Sequence, residues 1–293
     1  MRTFSICTPV LMALGFPLCL PSRSSADERE PVTFVKIDVP GASSTGSSAP
    51  NLRLKINPES EIVGGYLDAA GKVHGFLLKD DTFTTIDYPG ATFTTLNAIN
   101  PQGDIVGNYV AASTVHGLLQ SEGNLTTIDV PGATLTVPFG INARGEIAGV
   151  YSDASGHGHG FVLSRGTLST IDCPGAVFTS SQGINAQGDV VGFCMVGGSG
   201  HGYLLSQGVF TAIDVPGSTS NVAIDLSPEG AVVGSFFTPD GVSHGYIWRG
   251  GQFRTIEAPG AVFTFASGIN SEGQIVGKYK TADGKFHGFL LKE

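Results

Sequence analysis

Gly183-Ile184-Asn185, Asp189-Val190-Val191-Gly192, His201-Gly202-Tyr203-Leu204-Leu205 and Phe210-Thr211-Ala212-Ile213-Asp214-Val215-Pro216-Gly217 make up one frame, and the frame recurs along the chain. Its His-Gly pair returns at His74, His116, His159, His201, His244 and His287, every 42 or 43 residues. A period of that length marks solenoids, propellers and arrays, because each repeat is one supersecondary unit that buries its apolar face only against its neighbours.

Each repeat divides into four runs rich in β-branched residues and bounded by Gly, Pro, Asn and Asp, which read as strands. In the second repeat they cover residues 94–100, 104–110, 115–120 and 124–130. Asn100-Pro101-Gln102-Gly103 is a tight turn with a glycine free to take positive φ, and it recurs at residues 142–145, 185–188 and 270–273. The third joint, Ser121-Glu122-Gly123, is equally tight, whereas the second is longer and polar.

Six such units predict an all-β, six-bladed β-propeller of four-stranded blades. The flanks complement each other: the chain opens with a stray fourth strand, residues 34–41, and ends one fourth strand short. The expected ring is therefore closed by the N-terminal strand, where a β-solenoid would stay open and need capping units. A shifted phase, with Ile-Asp-x-Pro-Gly opening each blade, fails on reach. Only four residues lie between Leu78 and Phe83, and they span at most about 17 Å, too little to cross a four-stranded blade and step to the next. Residues 89–94 can make that crossing. The first crossover carries a six-residue insertion, placed by this reading at Ser43 to Pro50.

Residues 1–26 read as a secretory signal peptide, with Arg2, an apolar run broken by Pro9 and Pro17, and a small-residue site ending at Ala26. Residues 27–32 form a short linker and 33–293 the repeat domain. The apolar run is too short for a spanning helix. Loss of Arg2 and Arg23 takes the net charge from −9 to −11, and no basic stripe is present, which excludes a nucleic-acid partner.

The pattern G-I-N-x-x-G-x-V-V-G followed by H-G-F-L resembles the HAF-type extracellular repeats of bacteria, which are similar to kelch propeller repeats. The resemblance runs from about Thr33 to Glu293, with Gly where the family has Ala after His and with a single Trp, Trp248. It implies an exported propeller and carries over no catalytic residue.

Strand alternation puts the first and third joints on one face, the bottom, and the second joints, the crossovers and all six histidines on the other, the top. Those histidines either line a ligand mouth or bond the repeated acids Asp38, Asp87, Asp129, Asp172, Asp214 and Glu257. Six equivalent histidines around a ring cannot converge on one metal, whose ligands lie about 2 Å from it, so neither metal nor cofactor is expected. Departures from the repeat are the better candidates. Lys55 and Asp225 replace Ala or Gly on the innermost strands and either form a site in the channel or stand screened by solvent. Asp68, Asp153 and His157 sit in top-face joints. Cys173 replaces Val or Tyr and Cys194 replaces an aromatic, both at strand ends on the top of consecutive blades, which suggests a disulfide in an exported chain. The expected function is a secreted, monomeric binding or interaction module, extracellular or periplasmic, for a protein or glycan. A hydrolase or lactonase with its site at the channel mouth is the alternative, on fold analogy alone.

Overall fold

The computed structural model describes residues 33–46 and 53–292; the signal peptide and linker expected at 1–32 lie outside the described residues. Every regular element described is a β-strand. Four antiparallel strands follow one another in each repeat. Unit 2 consists of Phe93–Ile99, Ile105–Ala111, Thr114–Ser121 and Asn124–Ile128. Unit 3 begins at Leu135–Ile141, unit 4 at Phe178–Ile184, unit 5 at Ser220–Leu226 and unit 6 at Ala261–Ile269. In unit 1 the corresponding strand is Leu54–Ile56.

The N-terminal strand Thr33–Ile37 pairs antiparallel with Phe286–Lys292, so the last unit takes its fourth strand from the start of the chain. His287 bonds Asp38 at 2.9 Å across the same seam. The first strands pack in succession, and Leu54–Ile56 touches both Phe93–Ile99 and Ala261–Ile269. Asparagines in the bottom turns join these strands. Asn57 Nδ2 donates to the Asn100 carbonyl, Asn100 to Asn142, Asn142 to Asn185 and Asn270 to Asn57, at 2.9–3.3 Å. The same side chains accept turn N–H groups, as Asn100 Oδ1 does from Gln102 and Asp104, so one residue caps its turn and ties two units.

The core lies between units, not within them. Ile37 and Val276 of unit 6 pack with Leu54, Ile62 and Phe76 of unit 1, and the other junctions repeat this pattern. Close approach demands glycine on the second strands: a Cβ on Gly192 would strike the Ser180 carbonyl and lie 2.8 Å from the Tyr203 ring. Each crossover starts with a Pro-Gly turn, its glycine near φ +70 to +80°, as type II turns require. In five of the six crossovers a threonine six residues on then accepts an N–H from the start of the turn, as Thr94 does from Tyr88 at 3.1 Å; after Val215 the place is held by Asn221.

Thr45 does this for Val39 at 2.8 Å, and Ser44–Thr45 pairs with Leu67 and Tyr66. Residues 43–45 therefore hold regular crossover positions. The insertion lies after them, between Ser44–Thr45 and Leu54–Ile56, inside the innermost strand of unit 1. This corrects its placement at Ser43 to Pro50; residues 47–52 lie outside the described residues.

Candidate functional site

The six histidines are held by the repeat. Nδ1 of each approaches the carboxylate that follows the fourth strand: Asp87 from His74 at 2.6 Å, Asp129 from His116 at 2.8 Å, Asp172 from His159 at 2.9 Å and Asp214 from His201 at 3.0 Å. His244 meets Glu257 in the same way. On their other side, five of the rings lie about 5 Å from the aromatic residue that ends the second strand, Tyr66, Tyr109, Tyr151, Phe236 or Tyr279. The pairs fasten the ends of third and fourth strands.

Asp68 and Asp153 shape their own joints. Asp68 Oδ1 accepts the N–H groups of Ala70 and Lys72 at 2.9 and 2.8 Å, and its other oxygen lies 3.3 Å from His74 Nε2. Asp153 Oδ1 accepts from the Ser155 and His157 N–H groups and from the Ser155 hydroxyl. These bonds, from Lys72 N–H foremost for Asp68 and from the Ser155 hydroxyl foremost for Asp153, pull both carboxyls below the ordinary value of 3.8.

At the bottom end of the axis, Lys55 and Asp225 form a buried ion pair at 3.1 Å, with side chains 4 and 16% exposed. Lys55 Nζ also donates to the Ile224 carbonyl at 3.1 Å, and Asp225 accepts the Ile269 N–H at 3.2 Å. Burial lowers the lysine and raises the aspartate from their ordinary values, each opposed by the other's charge. Solvent screening is thus overturned: the side chains bridge units 1, 5 and 6, since the strands leave room only above glycines such as Gly183 and Gly268. They floor a cavity of about 120 Å³ rimmed by Pro58, Pro101, Ala143 and Ala186.

Two further buried cations were not legible as site residues. Arg53 bonds Gln182 and lies 5.1 and 5.6 Å from the rings of Phe139 and Phe265. Lys278 lies 5.2 Å from Phe265 and 5.8 Å from Phe286, and burial lowers it to about 7. Side chains of units 1, 3, 4 and 6 thereby meet around Arg53.

Cys173 and Cys194 form a disulfide with Cα atoms 6.2 Å apart, joining the crossover after unit 3 to unit 4. The equivalent pair two repeats earlier, Tyr88 and Tyr109, stacks at 3.7 Å, so the bridge replaces a contact that the repeat also makes between units 1 and 2. Beside it opens a top-face cleft of about 300 Å³ lined by His157, His159, Asp172, Ala176, Val177 and Phe178. His157 is 68% exposed and Asp172 51%, and Val177 is 72% exposed. His157, Asp153 and the two cysteines, four of the residues singled out in the sequence, thus gather at one junction, whereas Asp68 lies in unit 1 and Lys55 and Asp225 at the opposite end of the axis. Among the described residues no cluster of three or more His, Cys, Asp or Glu is arranged to hold a metal ion, and no helix is long and apolar enough to cross a membrane.

No family model matches the chain, and no curated protein matches it. Its structure is similar to a fungal lectin from Aleuria aurantia, described as a six-bladed β-propeller with fucose recognition, at 12% identity and TM-score 0.52 over 88% of this chain and 90% of that one. It is similar to TolB from Acinetobacter baumannii at 15% identity and TM-score 0.52, over 83% of this chain and 63% of that longer one. Virginiamycin B lyase from Staphylococcus aureus, solved as an inactive variant with quinupristin, aligns at 11% identity and TM-score 0.52 over 88% of this chain and 99% of that one. At such identities the likeness carries the architecture alone: the chain has a β-propeller fold.

Proposed function

We propose that this chain is an exported, six-bladed β-propeller of the HAF-type repeat kind, its ring completed by the N-terminal strand, and that its top face binds a glycan or protein ligand. The observation that carries the reading is the cleft at the junction of units 3 and 4, where His157, His159 and Asp172 meet the exposed Val177 beside the disulfide. Such a mixture of apolar wall and few polar groups in a concave site is what ligand recognition requires. The bottom offers less, because its asparagines are spent on their own turns and neighbours. Ring closure is supported by the pairing of Thr33–Ile37 with Phe286–Lys292 and by the Asn270 to Asn57 link. Export is supported by the disulfide, which persists in oxidising compartments. The likeness to a fucose-recognising lectin and to a lyase solved with quinupristin supports ligand binding on this architecture.

The test compares faces. Once a ligand is found by screening the purified protein on glycan and peptide arrays, Asp153→Ala and His157→Ala should weaken binding, while Gln102→Ala and Gln187→Ala in bottom turns leave it unchanged. Equal losses from both faces would remove the basis for assigning the top.

A further inference from the structure

Cations are distributed one-sidedly. Between Lys79 and Arg249 the only lysines or arginines are Arg144 and Arg165, and both lie in bottom joints of unit 3. The second joints and crossovers of units 3 to 5 therefore hold carboxylates without lysine or arginine; Arg254 lies mid-strand in the fourth strand of unit 5. Asp172 and Asp214 are each 51% exposed, and Asp240 is exposed as well. Among them stand apolar side chains in solvent: Val177 at 72%, Val196 at 40% and Phe237 at 38%. Val177 donates its N–H to the Met195 carbonyl as Thr219 does to that of Phe237, so Val177 stands on the crossover side of this contact in unit 4 and Phe237 on the second-strand side of the same contact in unit 5. The cleft lined by Asp172 opens on this surface, with Val177 and Phe178 as its apolar wall.

We infer that the top of units 3 to 5 receives a basic, partly apolar peptide segment of another protein, with one Lys or Arg side chain seated in the cleft against Asp172. The inference rests on the assignment of the top face as a binding surface and names its partner. Charge complementarity selects a cation. The aliphatic knobs suit the stem of a basic side chain and its apolar neighbours, whereas sugar rings stack on broad exposed aromatic faces, and of the aromatics here Phe178 and Tyr151 are half-buried and Phe237 is exposed. Acid should weaken the contact. His159 stands between Asp172 and Asp153, stacked on Tyr151 and two residues from His157, and its bond to Asp172 raises it from the ordinary 6.5. Below that raised value its positive charge neutralises the carboxylate that the ligand needs.

A fluorescent peptide of about twelve alternating Arg and Leu residues is the probe, titrated by anisotropy against the full chain, with the Glu-Leu counterpart and a glucosamine oligomer as controls. The Arg-Leu peptide should bind, more weakly as salt rises and more weakly at pH 5 than at pH 8. Asp172→Asn, which still offers His159 an acceptor, and Val177→Ser should each weaken it about three- to fivefold, with unchanged melting temperatures; Gln187→Ala should not. Equal binding of the Glu-Leu peptide, or indifference to Asp172→Asn, overturns the inference. Binding of the glucosamine oligomer without the peptide also overturns it, since the ligand is then a cationic sugar, while the top-face function stands. A loss in Gln187→Ala equal to that in Asp172→Asn would overturn both.

Discussion

Replacing Lys55 by methionine removes the cation from the axial pair and leaves the Asp225 carboxylate buried. Breaking a buried pair on one side costs about 3–5 kcal/mol. Here the lower part of that range applies, because Asp225 keeps the Ile269 N–H at 3.2 Å and is 16% exposed. A loss of about 3 kcal/mol in a domain of this size lowers the melting temperature by about 6–12 °C. The double variant Lys55→Met, Asp225→Leu removes both charges and should lie within about 1 kcal/mol of the parent, as apolar replacement of a whole buried pair commonly does. Urea melts of the parent, both singles and the double then give the coupling energy, the sum of the two single losses less the loss of the double, which should be at least about 2 kcal/mol. The pH dependence has a definite sign. Asp225 is already raised above 3.8 by burial, and without Lys55 it rises further, so the folded variant binds a proton that the unfolded chain has released. Stability of the single variant relative to the parent must therefore improve as pH falls from 7 towards 4. A Lys55→Met loss no larger than that of the double variant, or one independent of pH, would refute the reasoning and return the pair to solvent.

The remaining predictions concern the frame. Cys173→Ser with Cys194→Ser opens a loop with a sequence separation of 21 and should cost about 3 kcal/mol in denaturant melts; non-reducing mass spectrometry of the parent should show the linked peptides, and two free thiols would contradict the bridge. Gly192→Ala should destabilise by about 2 kcal/mol or more, since the new methyl meets the Ser180 carbonyl and the Tyr203 ring; an unchanged melt would mean that the two strands can part. Deleting residues 27–41 should expose the edge of Phe286–Lys292 and produce aggregation detectable by light scattering; a truncated protein that stays monomeric with an unchanged melt would argue against the N-terminal strand as an integral part of the last unit.

The strands and their phase were legible because the frame repeats six times, so that local ambiguity in one unit is resolved in another, and because a four-residue joint cannot cross a blade. The disulfide was legible for a related reason. Two departures fell at positions that the repeat brings together, as the Tyr88–Tyr109 stack does elsewhere. The insertion was misplaced because a length count cannot tell an extended crossover from an interrupted strand. A finer signal was present: Thr45 follows Val39 by six residues, as Thr94 follows Tyr88, which fixes the crossover as regular. Lys55 and Asp225 were singled out but not seen as partners, since their units are not neighbours and only the glycines of the intervening strands let their side chains meet. Arg53 and Lys278 had no periodic signal at all; their burial follows from the interrupted strand that delivers Arg53 between Phe139 and Phe265.

The histidines show which contacts the repeat holds constant and which it varies. Every His spends Nδ1 on the acid after the fourth strand, so that nitrogen carries no information that differs between units. The far nitrogen does differ. In units 1, 3, 5 and 6 it faces a joint residue, Asp68, Asp153, Thr238 or Thr281, at 3.3–3.5 Å. The second joints of units 2 and 4 are short, Ala112-Ser113 and Gly197-Gly198, and among the described residues no joint side chain reaches His116 or His201. Among the described residues His201 is also the one of the six without a stacked aromatic neighbour, because Cys194 takes that place and is turned into the disulfide. Its side chain is 45% exposed, against 14–27% for the other five. The cysteine pair thus does two things at once: it staples unit 3 to unit 4 and uncovers a histidine beside the acid-rich arc. What distinguishes one unit from the next lies in its second joint and at the end of its second strand, which is where a binding surface on the top face would draw its selectivity.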